Sequence, residues 1–212
     1  VKHLSIEFPT TSSRITGVIL AGGRSRRMGG DKPQQILEGK SLLEYVVELA
    51  APQVDELVLS SNSSAAFFQQ FGLPIVTDRD SSQAGPLLGI ASVMAWIAET
   101  HPKPAALPLV ACFPVDVPIF PETLVEVLKH AIIERKKQVA FARQAGQIQP
   151  LFSLWALSAA PFVDRALRAG ISGPKQMLSK LDATIVEIQY RSELDFTNLN
   201  TKQDMLALAE KL

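Results

Sequence analysis

The sequence has few of the residues that crosslink a chain or bind transition metals. Cys112 is the only cysteine, so no disulfide can form within the chain. The three histidines are scattered and have no ligand spacing with Cys112. A chain without disulfides fits a reducing compartment, and we expect it in the cytoplasm. Cys112 stands in an apolar run, which is typical of a small core residue.

Long apolar runs and an excess of one charge are also absent. No stretch approaches the ~20 apolar residues of a membrane span. Lys plus Arg and Asp plus Glu number 21 each, which argues against non-specific binding to nucleic-acid phosphates. With 47% hydrophobic and 20% charged residues, the composition is that of an ordinary globular protein. We therefore expect neither a membrane nor a nucleic acid as a partner.

The beginning of the chain differs from the rest in its pattern. Residues 1–14 lack the continuous apolar core of a secretion signal, because Lys2, Glu7 and Pro9 interrupt them. We predict a poorly ordered leader there, followed by a single domain over residues 15–212. No repeat or linker divides that segment, and its length suits one domain of roughly 200 residues.

Short apolar runs alternate with segments of helical spacing along this domain. The predicted strands cover residues 15–21, 54–60, 73–77, 107–113, 139–142, 151–155 and 184–189. The predicted helices cover residues 41–51, 64–71, 85–97, 121–137, 158–169, 174–181 and 202–212. This alternation, with continuously apolar early strands, predicts an α/β, Rossmann-like fold with a mostly parallel sheet and helices on both faces.

Three local signals support these boundaries. Ser41 and Glu44 have the spacing of a capping box at a helix start. Pro86 suits the first position of the next long helix, and Gly146 suits a turn between two strands. In the helix predicted over residues 121–137, we expect Leu124, Val127, Leu128 and Ala131 to form the apolar face. Trp96 and Trp155 stand in apolar surroundings, so we expect both in the core.

Ligands of such folds bind outside the carboxyl ends of the strands, and a glycine-rich basic loop follows the first strand. It contains Gly22-Gly23, Gly29-Gly30, Arg24, Arg26, Arg27 and Lys32. Glycines let backbone N–H groups approach a phosphate, and the cations neutralise its charge. The P-loop and dinucleotide-binding patterns are both absent. Taken alone, the loop is either a polyphosphate site or a solvated basic turn.

The longer segment Leu20-Ala21-Gly22-Gly23-x-Ser25-x-Arg27-Met28-Gly29-x-Asp31-Lys32 resembles the signature loop of the molybdenum cofactor guanylyltransferase family. That family belongs to a wider group of Rossmann-like nucleotidyltransferases. Relatives that use CTP or sugar phosphates carry similar loops, often with alanine in place of Gly22.

Further polar residues follow the other predicted strands. Asp116, in Asp116-Val117-Pro118, is a single carboxylate at a strand end, which suits magnesium because that ion takes one or two protein carboxylates plus phosphate oxygens and water. In the resemblance, this aspartate binds the metal. Asp78 stands seven residues before the Gly85-Pro86-Leu87-Leu88-Gly89 element and matches a nucleotide-binding aspartate, with Asp80 as a competitor. Asn62 matches a nucleotide-binding asparagine, or is a plain turn residue.

Two more segments resemble the family. Residues 149–155 are similar to its His-Pro-x-Phe-x-Leu-Trp stretch, although Gln149 replaces the histidine, so a role for that side chain does not carry over. Residues 196–204 are similar to its Asn-x-Asn-Thr element. There Asn198 and Asn200 either bind a ligand or cap the following helix with Thr201.

The resemblance implies transfer of GMP from GTP to the phosphate of molybdopterin bearing molybdenum, with release of pyrophosphate and magnesium as the cofactor. GTP and molybdopterin are then the substrates, and transient contact with molybdoenzymes or other cofactor-biosynthesis proteins is a further expectation. The implied catalytic residues are Lys32, Asp116 and Arg26. The implied nucleotide-binding residues are Leu20, Ala21, Gly22, Gly23, Lys32, Asn62, Asp78 and Asp116. A related cytidylyl- or sugar-phosphate nucleotidyltransferase and a non-catalytic GTP-binding regulator are the alternatives.

Overall fold

The computed structural model describes residues 13–22, 32–63, 66–80, 85–101, 107–178, 180–189 and 192–212. The strands are β1 (Ser13–Leu20), β2 (Ile36–Leu37), β3 (Lys40–Ser41), β4 (Glu56–Ser60), β5 (Ile75–Val76), β6 (Leu107–Pro114), β7 (Val139–Gln144), β8 (Gln147–Ala156) and β9 (Ala183–Glu187). The helices are α1 (Leu42–Ala50), α2 (Ala66–Gln69), α3 (Pro86–Thr100), α4 (Leu124–Arg135), α5 (Ala160–Arg168) and α6 (Lys202–Ala209). Short 3-10 helices cover Lys32–Gln34, Ala51–Gln53, Leu157–Ala159 and Pro174–Met177.

Within the described ranges, seven strands form one sheet in the order β5-β4-β1-β6-β8-β7-β9. Neighbouring strands are parallel, except that β8 runs antiparallel to both β6 and β7. The reversal follows from the turn Ala145-Gly146, whose φ angles of 47° and 77° suit a tight hairpin. The predicted α/β fold with a mostly parallel sheet is confirmed.

Two apolar layers cover the two faces of this sheet. Alternate residues of β1 point to opposite sides, so Ile19 joins the layer formed with α1 and α4, and Val18 joins the layer formed with α3 and α5. Strand β6 divides its side chains in the same way, and Cys112 is buried in the second layer as expected. Burial on both faces explains why the early strands are apolar throughout rather than alternating.

The helix starts follow the local signals. The Ser41 hydroxyl accepts a hydrogen bond from the Glu44 N–H, and the Glu44 carboxylate accepts one from the Ser41 N–H, so the predicted capping box is present. Helix α3 begins at Pro86, also as predicted. Among the residues that the structure describes, no helix has the length and apolar composition needed to cross a membrane.

Several boundaries differ from the sequence-based ones. Strand β1 begins at Ser13, inside the segment assigned to the leader, because Ser13 and Arg14 pair with β6. The helix predicted over residues 174–181 is a 3-10 helix, Pro174–Met177. The hairpin β2–β3 was not predicted, although Glu38-Gly39, with φ angles of 45° and 83°, has the glycine signal of a two-residue turn. Trp96 is only partly buried, whereas Trp155 lies in the core as predicted.

Helix α4 buries a different valine from the one expected. Val125 is 2% exposed and packs under the sheet with Leu124 and Leu128, whereas Val127 is 36% exposed. The prediction for Val127 was wrong because the helical spacing admits both residues beside Leu124 and Leu128. Which of the two valines is buried depends on the side from which the sheet packs against the helix. The sequence pattern of the helix does not specify that side.

We predict that Val125→Ala lowers the free energy of unfolding by about 2 kcal/mol, since it removes two buried methyl groups and leaves a cavity. The matched control, Val127→Ala in the same helix, should change it by less than about 0.5 kcal/mol. Urea unfolding followed by circular dichroism measures both values. Equal losses for the two variants would contradict the observed packing of α4.

Candidate functional site

The carboxyl ends of four parallel strands lie side by side at one edge of the sheet. From β1 the chain moves outward to β4 and β5, and then returns to β6 on the other side of β1. The sheet therefore has a topological switch point between β1 and β6. Open α/β sheets bind their ligands in the crevice at such a point.

A charged pair stands at this switch point. The Lys32 Nζ atom donates to the Asp116 Oδ2 atom at 3.0 Å. The two side chains are 14% and 26% exposed, so the pair is partly buried but open to solvent. The structure thus brings together the cation and the carboxylate that the sequence placed in one site.

Asp116 is held by the residues on either side of it. Val115 and Val117 are both buried in the apolar layer beneath the sheet edge. The Val115 N–H donates to the Leu20 carbonyl at 3.4 Å, which joins the end of β6 to the end of β1. Because its neighbours are anchored, Asp116 presents its carboxylate at the edge of the sheet.

Lys32 is placed by a short turn packed against α1. It opens the 3-10 helix Lys32–Gln34, in which Pro33 is buried. The Gln35 N–H donates to the Lys32 carbonyl at 3.1 Å, and the Gln35 carbonyl accepts from the Leu42 N–H at 2.9 Å. The first residue of α1 therefore fixes the turn that carries the lysine.

A third segment reaches the charged pair from the end of the chain. The Asn200 Oδ1 atom accepts from Lys32 Nζ at 3.4 Å, and the Leu199 N–H donates to the Asp116 carbonyl at 2.8 Å. Thr201, not Asn200, is the N-cap residue of α6. The side chain of Asn200 contacts Lys32 and does not cap the helix, so the capping interpretation is wrong for this residue, and ligand binding by Asn200 stays a prediction.

Asn62 and Asp78 form a second cluster, beyond the ends of β4 and β5. The Asn62 amide donates to the Asp78 carboxylate at 2.7 Å, and its oxygen accepts from the Asp78 N–H at 2.8 Å. This reciprocal pair fixes both side chains beside solvent. The sequence placed each residue in the site but did not indicate that they bind each other.

The end of β1 lies between the two clusters in the strand order. The Ala21 N–H donates to the Ser60 carbonyl at 3.1 Å, which continues the pairing of β1 with β4. A β-carbon added to Gly22 would lie no closer than 3.8 Å to described protein atoms, the nearest being the Ser60 carbonyl oxygen. Described protein packing therefore leaves room for a side chain at Gly22. Gly23, Arg24, Arg26 and Arg27 lie outside the described residues.

In the Gly85–Gly89 element, a side chain at either glycine would lie too close to other atoms of the protein. Gly85 has a φ of 121°, and a β-carbon on it would lie 2.6 Å from the Ser172 carbonyl oxygen. A β-carbon on Gly89 would lie 2.5 Å from the Ser60 hydroxyl oxygen. These two positions need glycine because α3 approaches the end of β4 and the Ser172 loop so closely.

The sequence did not indicate the contacts that hold the loop around Asp78. The Arg79 guanidinium is ion-paired with Asp164 of α5, and the Arg79 N–H donates to the Ser92 hydroxyl at 3.1 Å. These contacts tie the loop after β5 to α3 and α5. No spacing in the sequence indicates them, because Arg79 and Asp164 come from distant parts of the chain.

Cys112 and the stretch that begins at Gln149 contribute to the core of the protein. Burial raises the pKa of the Cys112 thiol to about 12, so the thiol stays protonated at neutral pH and is not a nucleophile. In β8, Phe152 and Trp155 are buried, and the Trp155 N–H donates to the Ser153 hydroxyl at 2.8 Å. The stretch that begins at Gln149 therefore contributes mainly to the core.

Relatives of known name show which family the chain belongs to. Residues 17–185 match the family model described as the MobA-like NTP transferase domain. The chain is 37% identical to the molybdenum cofactor guanylyltransferase of Rhodopseudomonas palustris (strain BisB5), over 92% of each chain. It is 34% identical to the enzyme of the same name from Bradyrhizobium sp. (strain ORS 278), over 96% of this chain and 95% of the relative.

Solved structures show the same fold at lower identity. The molybdopterin-guanine dinucleotide biosynthesis protein A of Archaeoglobus fulgidus superposes with a TM-score of 0.76 at 20% identity, over 92% of this chain and 97% of that one. A Mycobacterium tuberculosis protein solved with manganese has a TM-score of 0.66 at 17% identity, over 94% of this chain and all of that one. With the family model and the curated relatives, these matches establish that the chain belongs to the MobA-like NTP transferase family.

Proposed function

We propose that this protein transfers GMP from GTP to the phosphate of molybdopterin bearing molybdenum, forming the guanine dinucleotide cofactor and pyrophosphate. The observation that carries the proposal is the Lys32–Asp116 pair at the switch point between β1 and β6. The names of the relatives supply the substrates. The cytoplasm as compartment and transient contact with molybdoenzymes belong to the same proposal.

On the basis of the strand order, we assign the two ends of the nucleotide to the two clusters. Lys32 and Asp116 lie on the β6 side of β1, where a cation and a carboxylate suit the triphosphate. Asn62 and Asp78 lie on the β4–β5 side, where amide and carboxylate groups suit the base or the ribose. The backbone of Leu20, Ala21, Gly22 and Gly23 would hold the guanine or ribose end, and Arg26 would face the triphosphate together with Lys32.

The reaction needs little acid–base chemistry. A phosphate monoester has a second pKa of about 6 and is largely a dianion at neutral pH. Its oxygen can attack the α-phosphorus directly, forming one P–O bond while the bond to the pyrophosphate breaks. The protein then contributes orientation and neutralises charge on the departing pyrophosphate, which is the role of Lys32.

The residues at the edge fit a magnesium ion that arrives with the nucleotide. No group of three or more acidic, histidine or cysteine side chains within the described ranges could hold a metal unaided. Asp116 offers one carboxylate at the open edge, and magnesium commonly takes one or two carboxylates and completes its shell with phosphate oxygens and water. When bound, the ion would neutralise phosphate charge. The Lys32 Nζ atom contacts Oδ2 of this carboxylate, and a bound triphosphate would also attract the lysine.

Pyrophosphate release with magnesium and each of GTP, CTP, ATP and UTP tests the proposal. Molybdopterin bearing molybdenum is the acceptor, and mass spectrometry of the product identifies the dinucleotide. We expect release with GTP and formation of the guanine dinucleotide. Preference for CTP, or turnover only with a sugar phosphate, would replace the proposal with a related nucleotidyl transfer. GTP binding without turnover would indicate a regulator.

Removal of either charged partner should nearly abolish the reaction. We predict that Lys32→Ala and Asp116→Ala each lower kcat/KM for GTP by about 100-fold or more, since each removes charge that stabilises the transition state. Lys40→Ala and Asp182→Ala are matched controls, because both residues form ion pairs away from the site, with Glu48 and Lys137. The controls should stay within about threefold of wild type. Steady-state kinetics that place Lys32→Ala in the range of the controls would contradict its role.

The free chain should bind a divalent cation weakly because Lys32 already neutralises Asp116. We predict that Lys32→Ala raises the affinity for Mn²⁺ without nucleotide by about fivefold, since nearby unit charges interact by roughly 1 kcal/mol even in water. Lys40→Ala is the control, and Asp116→Ala should abolish the gain. Electron paramagnetic resonance of free Mn²⁺ measures the affinity. An unchanged affinity in Lys32→Ala would show that the pair does not compete with the cation.

Gly22 offers a test that separates activity from stability. Because a β-carbon would meet no described protein atom closer than 3.8 Å, we predict that Gly22→Ala unfolds at nearly the wild-type temperature. Its kcat/KM for GTP should fall by about tenfold or more, since an added methyl displaces a ligand held at the backbone. Gly173→Ala, with a φ of −129° and no described heavy atom within 4 Å of the added β-carbon, is a control remote in sequence from the glycine-rich loop. Wild-type activity in Gly22→Ala would exclude close approach of the nucleotide there.

A further inference from the structure

Helix α6 begins directly after Asn200, and the first turn of this helix holds the segment that reaches the charged pair. Thr201 is the N-cap residue, and its hydroxyl accepts from the Asp204 N–H at 3.1 Å. The Asp204 Oδ2 atom accepts from the Thr201 N–H at 2.8 Å, which completes a capping box. The same oxygen accepts from the Asn200 N–H, also at 2.8 Å. Asp204 thus also binds Asn200, which is not a member of the capping box.

The extra hydrogen bond fixes the residue that contacts Lys32. The Asn200 amide oxygen lies 3.4 Å from Lys32 Nζ. The preceding residue, Leu199, is fully buried and donates its N–H to the Asp116 carbonyl at 2.8 Å. Two consecutive residues therefore contact the two members of the charged pair. The Asp204 carboxylate holds the second of them by accepting from its backbone N–H.

The chain contains a second capping box that lacks this connection. At the start of α1, the Glu44 carboxylate accepts from the Ser41 N–H and from the Ser41 hydroxyl, both at 2.6 Å. Neither Ser41 nor Glu44 has a hydrogen bond to Lys32, Asp116 or Asn200 among the described contacts. The box of α1 reaches the site only through the backbone of Leu42 and Gln35, whereas the carboxylate of the α6 box binds the residue that contacts Lys32.

The charge of Asp204 supports the arrangement. The hydrogen bond from the Asn200 N–H lowers the pKa of this carboxyl, followed by those from Thr201, and the Lys32 charge lowers it further. The carboxyl is therefore ionised at neutral pH. An ionised acceptor makes stronger hydrogen bonds to backbone amides than a neutral one does.

We propose that Asp204 is a positioning residue of the nucleotidyl-transfer site: by binding the Asn200 and Thr201 N–H groups, it keeps the Asn200 side chain beside Lys32. Lys32 is then already in place next to Asp116 when the triphosphate arrives. The proposal rests on the proposed function only in naming GTP as the nucleotide whose triphosphate Lys32 meets.

The test compares Asp204→Ala with the matched control Glu44→Ala, since both remove the carboxylate of a capping box. Both variants should lower the unfolding temperature. Asp204→Ala alone should raise the Kd for GTP with magnesium by about tenfold, as expected when a charged hydrogen-bond acceptor is lost. Its KM for GTP should rise with the Kd, while kcat per folded molecule changes by less than about threefold. Equal GTP affinity in the two variants would overturn the proposal.

A double-mutant cycle tests whether Asp204 acts through Lys32. If it does, Asp204→Ala in a Lys32→Ala background should change the Kd for GTP by less than about twofold, because coupled residues are not additive. Full additivity would overturn the proposed route. If Asp204→Ala is unfolded at the assay temperature, Asp204→Glu takes its place. That variant keeps a capping carboxylate but lengthens the side chain, so we expect normal stability and a Kd raised about threefold. An unchanged Kd would again contradict the proposal.

The binding measurement also separates this inference from the proposed function. A wild-type chain that binds GTP but transfers no GMP contradicts the proposed function, and the Kd comparison still decides on Asp204. A wild-type chain that prefers another nucleotide also contradicts the proposed function. The same variants are then compared with that nucleotide. Isothermal titration calorimetry gives Kd values that do not depend on an acceptor.

Discussion

The parallel pairing of β1 with β6 is the interaction on which the site depends. The two strands are in register along their full length, from Ser13 opposite Leu107 to Leu20 opposite Pro114. Their carboxyl ends therefore coincide, and the loop that leads to Lys32 begins beside the turn that carries Asp116. On its other side β1 pairs with β4, which brings Ser60 and then Asn62 to the same edge. One central strand thus aligns groups from three parts of the sequence.

The charged pair at this edge explains how an open site stays stable without its ligand. Lys32 and Asp116 neutralise each other at 3.0 Å, so neither charge is left partly buried and unpaired. In the proposed reaction, a triphosphate would attract the lysine and a divalent cation would attract the aspartate. Asn200, which precedes α6, contacts the lysine, and α6 packs in an apolar cluster with Leu37, Leu42 and Leu199. The site is thereby joined to a third apolar cluster, separate from the two layers of the sheet.

Glycine serves two different purposes around this site. At Gly85 and Gly89 the neighbouring protein atoms would meet a side chain at 2.6 and 2.5 Å, so packing requires glycine. At Gly22 the nearest described protein atom would lie at 3.8 Å, so packing does not. Close approach of the proposed nucleotide would explain why a glycine stands at position 22. A glycine that the described fold does not require is therefore the more informative one about function.

The sequence by itself determined the features that depend on near neighbours. These include the apolar strands, the Ser41–Glu44 capping box, the turn at Gly146 and the polar residues placed just after strands, because each follows from spacing within a few residues. Tertiary structure alone decided which valine of α4 is buried, that β8 pairs with β6, and that Asn62 binds Asp78. It also decided that Lys32 meets Asp116 and Asn200, which are 84 and 168 residues further along the chain. Such contacts depend on strand order and helix direction, and a local pattern contains neither.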